Sequence, residues 1–316
     1  MCDENDNARF DAALARRGLS RREFAAMGTA VLAWACSPTG SNADERGATS
    51  GTEVIPLSED RVSIATPDGQ ADAFFVHPAK DDHPAVLLWT DIAGLREAFK
   101  AMARRLAREG YGVLIVNPYY RWAKSPQWDS FAEWMDKSGV DGVALWREKL
   151  TKDAISSDAK AAIGWLVEQP GVDTSAGVGT MGFCMGGPFA MWTASAVPEW
   201  VRAVATFHGS RLVAEGEDSP HRSLSGSKAA YLIAIARNDD EKDPTADDTL
   251  RDAAKAAGRP AEIEVYPADH GWMVADSPVY AESPAEGAWQ RLLVLFSENL
   301  RHGSVMLPPP EAEQPL

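Results

Sequence analysis

Residues 179 to 188 read GTMGFCMGGP, and a single thiol, Cys184, stands among Gly179, Gly182, Gly186 and Gly187. Gly182-Phe183-Cys184-Met185-Gly186 has the form small, any residue, nucleophile, any residue, small. The run before it, Val178 to Phe183, has the composition of a buried strand, and the run AMWTASA after it reads as a helix. A chain that turns from strand to helix across one residue brings its own backbone together, so a side chain at either flanking position would collide. Such a turn lifts the central side chain above the carboxyl edge of a sheet and aims a helix N-terminus at it, which favours thiolate over thiol. The chemistry available to such a sulfur is covalent attack on a carbonyl carbon. The plainer alternative is a buried cysteine in a glycine-rich turn. The strand before and the helix after favour the nucleophile.

The turn resembles the nucleophile elbow of the α/β-hydrolases, and that resemblance implies the order nucleophile, acid, histidine along the chain. Of the six histidines, His77 and His83 flank an early turn, His302 lies near the tail, His221 sits in the polar loop EGEDSPHRSLSG, and His208 ends a strand upstream of any acid. His270, in YPADHGW, follows the last strand and precedes the last helix, where this fold carries its base. The acid is expected after AAYLIAIA, in Arg237-Asn238-Asp239-Asp240, with Asp239 the first choice and Asp240 the second. His77 and His83 around Asp81-Asp82 suggest a hydrated hairpin more than a metal site, and no C-x-x-C pair offers a thiolate zinc site.

These residues need a scaffold, and the sequence supplies one by alternation. Val62 to Thr66 and Ala71 to Val76 read as a hairpin around Pro67-Asp68-Gly69. Ala85 to Thr90, Tyr111 to Val116, Val178 to Phe183, Val201 to Phe207, Ala230 to Ala236 and Ala261 to Tyr266 read as strands, several of them apolar throughout. Helical spacing marks Leu95 to Glu109, Ala154 to Glu168, Thr245 to Ala257 and Pro284 to Arg301. The fold class expected is α/β, with a mainly parallel central sheet and helices on both faces.

With 316 residues and 45% hydrophobic content, the chain can bury one large core. A net charge of −15 argues against a nucleic-acid partner, which needs a basic face. Of the three cysteines, only Cys184 lies in the periodic part, which excludes a disulfide scaffold there. Residues 19 to 36, LSRREFAAMGTAVLAWAC, pair Arg21 with Arg22 and continue into the uncharged run Ala25 to Ala35. That run is too short for a stable membrane span. It resembles a twin-arginine export signal, ending at the small-x-small site Ala33-Trp34-Ala35. The resemblance implies passage through the twin-arginine translocase to the periplasm. Ala25 and Ala26 depart from the usual pattern, and an amphipathic N-terminal helix is the alternative. Cys36 leaves a lipid anchor as a second option, which Trp34 suits poorly. The organisation expected is a signal over residues 1–35, a flexible linker over 36–53, one domain over 54–302 and a Pro-rich tail over 303–316. On composition, residues 1 to about 53 are expected to pack little against the core.

WTDIAGLREAFKAMARRLAREGYGVLIVNPYYR, GTMGFCMGG, FHGSRL with DSPH, ARNDDEKDP and YPADHGWMV together resemble the dienelactone hydrolase family over about residues 54 to 302. GFCMGG is the most specific of these, since most hydrolases of this fold carry serine at the elbow. The resemblance implies Cys184 as nucleophile, Asp239 as acid and His270 as base. It implies an oxyanion hole from the backbone N–H groups of Met185 and Ile92, and no metal or cofactor. Asp91 stands where the family has a glutamate that holds the resting thiol, and Arg121 where it has an arginine that grips the substrate carboxylate. A second such arginine is expected four residues after the histidine, where this chain has Val274. Tyr120, Trp122 and Trp272 join Arg121 as candidate substrate contacts, Tyr120 and Trp122 lying in the aromatic stretch from Tyr119 to Trp146. That stretch could wall a pocket or simply pack its own helix on the sheet. The substrate implied is a small lactone or ester. The alternatives are a general carboxylesterase, or a non-hydrolytic binding or redox-sensing protein that uses Cys184 alone.

Overall fold

The computed structural model describes residues 4–27 and 55–300. Eight strands form one sheet: β1 (Leu57–Thr66), β2 (Gly69–Pro78), β3 (Ala85–Trp89), β4 (Gly112–Val116), β5 (Val178–Phe183), β6 (Val201–Phe207), β7 (Ala230–Ala236) and β8 (Ala261–Tyr266). Their spatial order is β1-β2-β4-β3-β5-β6-β7-β8. The hairpin β1–β2 and the β2–β4 pair are antiparallel, and every other pair is parallel. Strands β3, β4, β5 and β7 are buried at every position, as uninterrupted apolar strands covered on both faces must be. The sheet accordingly divides the apolar interior into two clusters, one on each face.

The helices that matter for the site are α1 (Glu4–Arg16), α2 (Arg21–Met27), α3 (Glu97–Arg108), α4 (Phe131–Lys137), α5 (Lys152–Leu166), α6 (Gly186–Ala196), α7 (Arg237–Lys242) and α8 (Ala246–Ala256), with α9 (Glu282–Asn299) closing the fold. In α3, Phe99, Ala103, Leu106 and Ala107 are buried while Arg108 is exposed, so its burial follows the 3.6-residue period. Thr151 caps α5 by accepting from the Ala154 N–H at 3.3 Å.

The N-terminal segment departs from the expectation of little packing. Helices α1 and α2 lie on the domain, with Phe10, Leu14 and Phe24 all buried. Phe10 meets Phe131 edge to face at 5.2 Å between centroids. Phe10, Ala13 and Leu14 repeat at three- and four-residue intervals, the spacing of one helix face, with Asp11 and Ala12 between them exposed. Ser20 and Glu23 form a reciprocal capping box, Ser20 N–H donating to Glu23 at 2.8 Å and Glu23 N–H to Ser20 at 3.2 Å. Arg21 grips Asp11 with two nitrogens and donates to the Met135 carbonyl at 3.2 Å, tying α2 to both α1 and α4. The expected cleavage site at Ala33–Ala35, Cys36, and the stretches expected as linker, 36–53, and tail, 303–316, lie outside the described residues. Among the described residues, no helix is long and apolar enough to cross a membrane.

Candidate active site

Every candidate for chemistry sits where a strand meets the carboxyl edge of the sheet. Cys184 follows β5 directly and adopts φ +51, a left-handed conformation that β-carbons resist. The turn is locked by close backbone approach. A Cβ on Gly182 would fall 2.0 Å from the Gly186 carbonyl oxygen, and one on Gly186 would fall 2.5 Å from that of Trp89. The Cys184 N–H donates to Phe207 O at 3.2 Å, and Cys184 O accepts from Gly187 N–H and Ser210 N–H. The sulfur is buried and lies 3.7 Å from the Ser210 hydroxyl.

His270 follows β8, and its Nδ1 meets Asp239 Oδ2 at 2.6 Å. Asp239 therefore takes the position left open between it and Asp240. Asn238 fixes the backbone of the histidine by accepting from the His270 N–H at 2.6 Å. Burial works against a charged His270 imidazole, but the negative charges of Asp239 and Cys184 and their hydrogen bonds outweigh it and raise its pKa well above the ordinary histidine value. Nε2 makes no well-aligned hydrogen bond among the described residues, so its contact with the sulfur is a loose one.

Two backbone N–H groups, of Ile92 after β3 and Met185 after the elbow, have no acceptor among the described residues. Tyr119 steadies both residues, its hydroxyl donating to Ile92 O at 2.8 Å and lying 3.5 Å from Met185 Sδ.

Asp91 is buried close to these groups, but its carboxylate is taken. Arg96, fully buried, donates to both Asp91 oxygens at 2.7 and 2.9 Å and to both Asp276 oxygens at 2.7 Å. The Ala93 N–H adds a bond to Asp91 Oδ1 at 2.9 Å. Burial pushes the Asp91 carboxyl up to about 6, with Arg96 opposing, while Arg96 is held firmly charged by its two carboxylates.

A space of about 10 Å³ lies at the sulfur, lined by Cys184, His208, His270, Asp91 and Ser277 and closed by Phe10 and Phe131. On the Met185 and Ser210 side opens a larger, mainly apolar cavity of about 260 Å³, walled by Leu150, Phe189 and Trp192 with Arg147 at its edge. Helix α1 thus lies over the thiol, and Arg9 reaches Asp269 and Glu241 at 3.8 Å, beside the His270 and Asp239 loops.

The family model for the dienelactone hydrolase family matches residues 71–300. The chain belongs to the dienelactone hydrolase family. It is a hydrolase, and its α/β-hydrolase sheet is that of solved relatives. A carboxymethylenebutenolidase-like protein of Methylorubrum extorquens is 29% identical over 300 residues, covering 92% of this chain and 98% of its own. The carboxymethylenebutenolidase of Rhodococcus opacus is 26% identical over 238 residues, covering 73% of this chain and 88% of its own. The structure of a dienelactone hydrolase homologue from Klebsiella pneumoniae superposes with a TM-score of 0.65 at 24% identity, over 77% of this chain and 99% of that one. A dienelactone hydrolase-like promiscuous phosphotriesterase from metagenomic libraries superposes with a TM-score of 0.62 at 21% identity, over 78% and 99%.

Within this dienelactone hydrolase scaffold, several expected contacts lie elsewhere. Arg121, expected to grip a substrate carboxylate, is bonded to the protein's own carboxylates. It is clamped by Asp158, at 2.8 and 2.9 Å, and by Asp68, at 2.6 Å, where it ties the β1–β2 turn to α5. Tyr120 joins the same cluster through Thr66 and Asp158. Trp122 is partly exposed and stacks on Trp146 at 6.2 Å. Trp272 is fully buried and stacks on Tyr266 at 4.8 Å, inside the core rather than in a pocket. Both Asp91 oxygens are bonded by Arg96, with the Ala93 N–H on Oδ1, and the carboxylate lies near enough to Cys184 for their charges to act on each other. Of the aromatic stretch, Phe131 reaches the space at the thiol with Trp134 packed against it, while Trp122 and Trp128 pack on Trp146. Sequence reading missed Phe10, Arg96, Tyr119 and Ser210, and it set His208 aside as lying upstream of any acid. His208 stood in the quoted FHGS at the end of a strand, which is the one signal that could have raised it.

Proposed function

We propose that this hydrolase cleaves a small lactone or carboxylic ester through a thioester on Cys184. The Asp239–His270 contact at 2.6 Å, on two loops beside the strained elbow of Cys184, carries this reading. Asp239 fixes the imidazole so that Nε2 faces the sulfur. The thiolate attacks the carbonyl carbon, and the N–H groups of Ile92 and Met185 hold the oxyanion. One such donor is worth about 10² to 10³ in rate. His270 passes a proton to the leaving alkoxide, then takes one from water, which releases the acid and regenerates the thiolate. A bare redox-sensing thiol needs no acid–histidine pair, so the Asp239–His270 unit favours hydrolysis.

The test is a panel of lactones and aryl esters with the purified protein. Turnover with an acyl adduct on Cys184 by intact mass is expected. Cys184→Ala retaining the activity would overturn the assignment.

Export to the periplasm by the twin-arginine translocase is the second part of this reading. Ser20-Arg21-Arg22 and Phe24 support it. Arg21 is engaged with Asp11 and Met135 while the Arg22 side chain is 88% exposed, so a translocase receptor would have to lift α2 from α4. Arg21→Lys with Arg22→Lys should retain the protein in the cytoplasm, with Asp11→Asn as the control that loosens α2 but leaves the arginines. Equal export of the double-lysine variant removes this part of the reading.

A further inference from the structure

Resting on the thioester reading, we propose that His208 is a further catalytic residue: its imidazole holds the water that cleaves the acyl-enzyme. His208 follows β6 at the same sheet edge as Cys184 and His270, and its ring is buried. Neither ring nitrogen has a partner among the described residues. Its backbone adopts φ +41, a strained conformation for a residue with a β-carbon. Phe183 and Trp272 flank it at 6.1 Å, surroundings that would suit a phenylalanine and leave no polar atom unsatisfied. A polar ring kept in an apolar setting on a strained backbone points to a partner that arrives during the reaction.

The geometry names that partner. The His208 and His270 rings meet edge to face at 5.1 Å between centroids. Rings in such contact leave no room between them, but one oxygen in the space beside both can bond to a nitrogen of each, at about 2.8 Å apiece. The space that both rings share with Cys184 measures about 10 Å³. That is close to the room one water needs, and a buried water wants two to four polar partners. His270 must take a proton from water when the thioester is hydrolysed. A second nitrogen across the same small space would fix the direction of attack.

The step balances as follows. The water oxygen bonds to the thioester carbonyl carbon while one of its protons moves to His270 Nε2. The tetrahedral intermediate collapses and the carbon–sulfur bond breaks, its electron pair returning to Cys184. A carboxylic acid leaves, and thiolate and protonated His270 remain. His208 accepts a hydrogen bond from the second water hydrogen throughout and neither gains nor loses a proton. Burial, aided by the cationic His270, lowers the His208 pKa to about 3, which keeps it a neutral acceptor.

The experiment compares full-length wild type with His208→Phe, using 4-nitrophenyl acetate as probe. In the variant the first equivalent of nitrophenol should appear at an unchanged rate. Steady-state turnover should then fall about 10²-fold, the scale of losing one positioned group in proton-transfer catalysis. The acetyl adduct should accumulate on Cys184 by intact mass, and hydroxylamine, a stronger nucleophile than water, should restore turnover. His208→Asn, which tolerates the left-handed backbone but has a shorter reach, is read in the same way if the phenylalanine variant does not fold. Burst and steady state falling together, or unchanged turnover, would overturn the role of His208 and leave the thioester intact. A wild type that turns over no ester and forms no adduct overturns both.

Discussion

Two regions enclose the Cys184 sulfur, and they are held by different physics. Below it, the elbow is fixed by backbone crowding and by carbonyls within the sheet, and Arg96 with its two carboxylates is buried among those elements. Above it, α1 rests on a few apolar side chains and on ion pairs open to solvent. The floor cannot move without unfolding the sheet edge. The cover is held by a few buried side chains and by ion pairs that solvent screens. A reactive group built this way is positioned by one region and sheltered by another.

The largest effect belongs to the floor. Cys184→Ala should lower ester turnover by about 10⁴-fold or more, since removing a nucleophile from a cooperating set costs as much as dismantling the set. His270→Ala should match it. If either variant kept turnover within tenfold of wild type, the chemistry would lie outside this sheet edge, and the contrast between floor and cover would concern a different site.

Arg96 separates the two regions by stability. Arg96→Met leaves Asp91 and Asp276 buried with no counter-charge, and breaking such a cluster costs about 3–5 kcal/mol. Arg21→Ala, at the cover, should cost under about 1 kcal/mol, as solvent-screened pairs do. Urea unfolding of both variants measures the difference. Equal costs would mean that the cover is as firmly built as the floor.

Protonation sharpens the contrast further. The lowered His208 pKa means that, between about pH 3 and 6.5, the unfolded chain binds the proton and the folded chain does not. His208 therefore subtracts stability as the pH falls through that window, by about 2 kcal/mol at pH 5. Asp91 has the opposite sign. Its raised folded pKa means that stability is lost as the pH rises from about 4 to 6. His208→Phe removes only the first contribution, so the variant should lose about 2 kcal/mol less than wild type between pH 7 and pH 5. Equal losses would mean that water reaches His208 past Phe10.

What the sequence disclosed follows the same division. Strands β5 to β8 were legible to the residue, because each is a short run bounded by turn residues, β5 to β7 mostly apolar and β8 alternating glutamates with Ile263 and Val265. The elbow and the Asp239–His270 contact were legible because backbone crowding and chain order leave little choice there. The tie from Asp91 to Arg96 was not legible, because Arg96 looks like an ordinary surface arginine at the start of an amphipathic helix. Only the fold brings Asp276 to its other side. The partners of Arg121 were hidden for the same reason, since Asp68 and Asp158 lie far from it in sequence and beside it in space. The N-terminal helices were misjudged because their acidic composition outweighed the stripe of Phe10, Ala13 and Leu14. An amphipathic helix is defined by spacing, and average polarity hides it.

The smallest effect tests the cover directly. Phe10 is 1% exposed and helps to close the space at the sulfur. Burying a phenylalanine gains about 1.5–3 kcal/mol, and part of that gain is spent in ordering α1. If Phe10→Ala shifts the balance between covered and open forms by only 1.4 kcal/mol, the open fraction rises about tenfold. Alkylation of Cys184 by iodoacetamide should speed up by about that factor in the full-length variant, with the urea midpoint of the domain little changed. Arg9→Ala, which removes only screened pairs to Asp269 and Glu241, should speed alkylation about twofold or less. A midpoint that falls while the alkylation rate stays put would make Phe10 a core residue of the domain, and the distinction between floor and cover would fail at the residue that defines it.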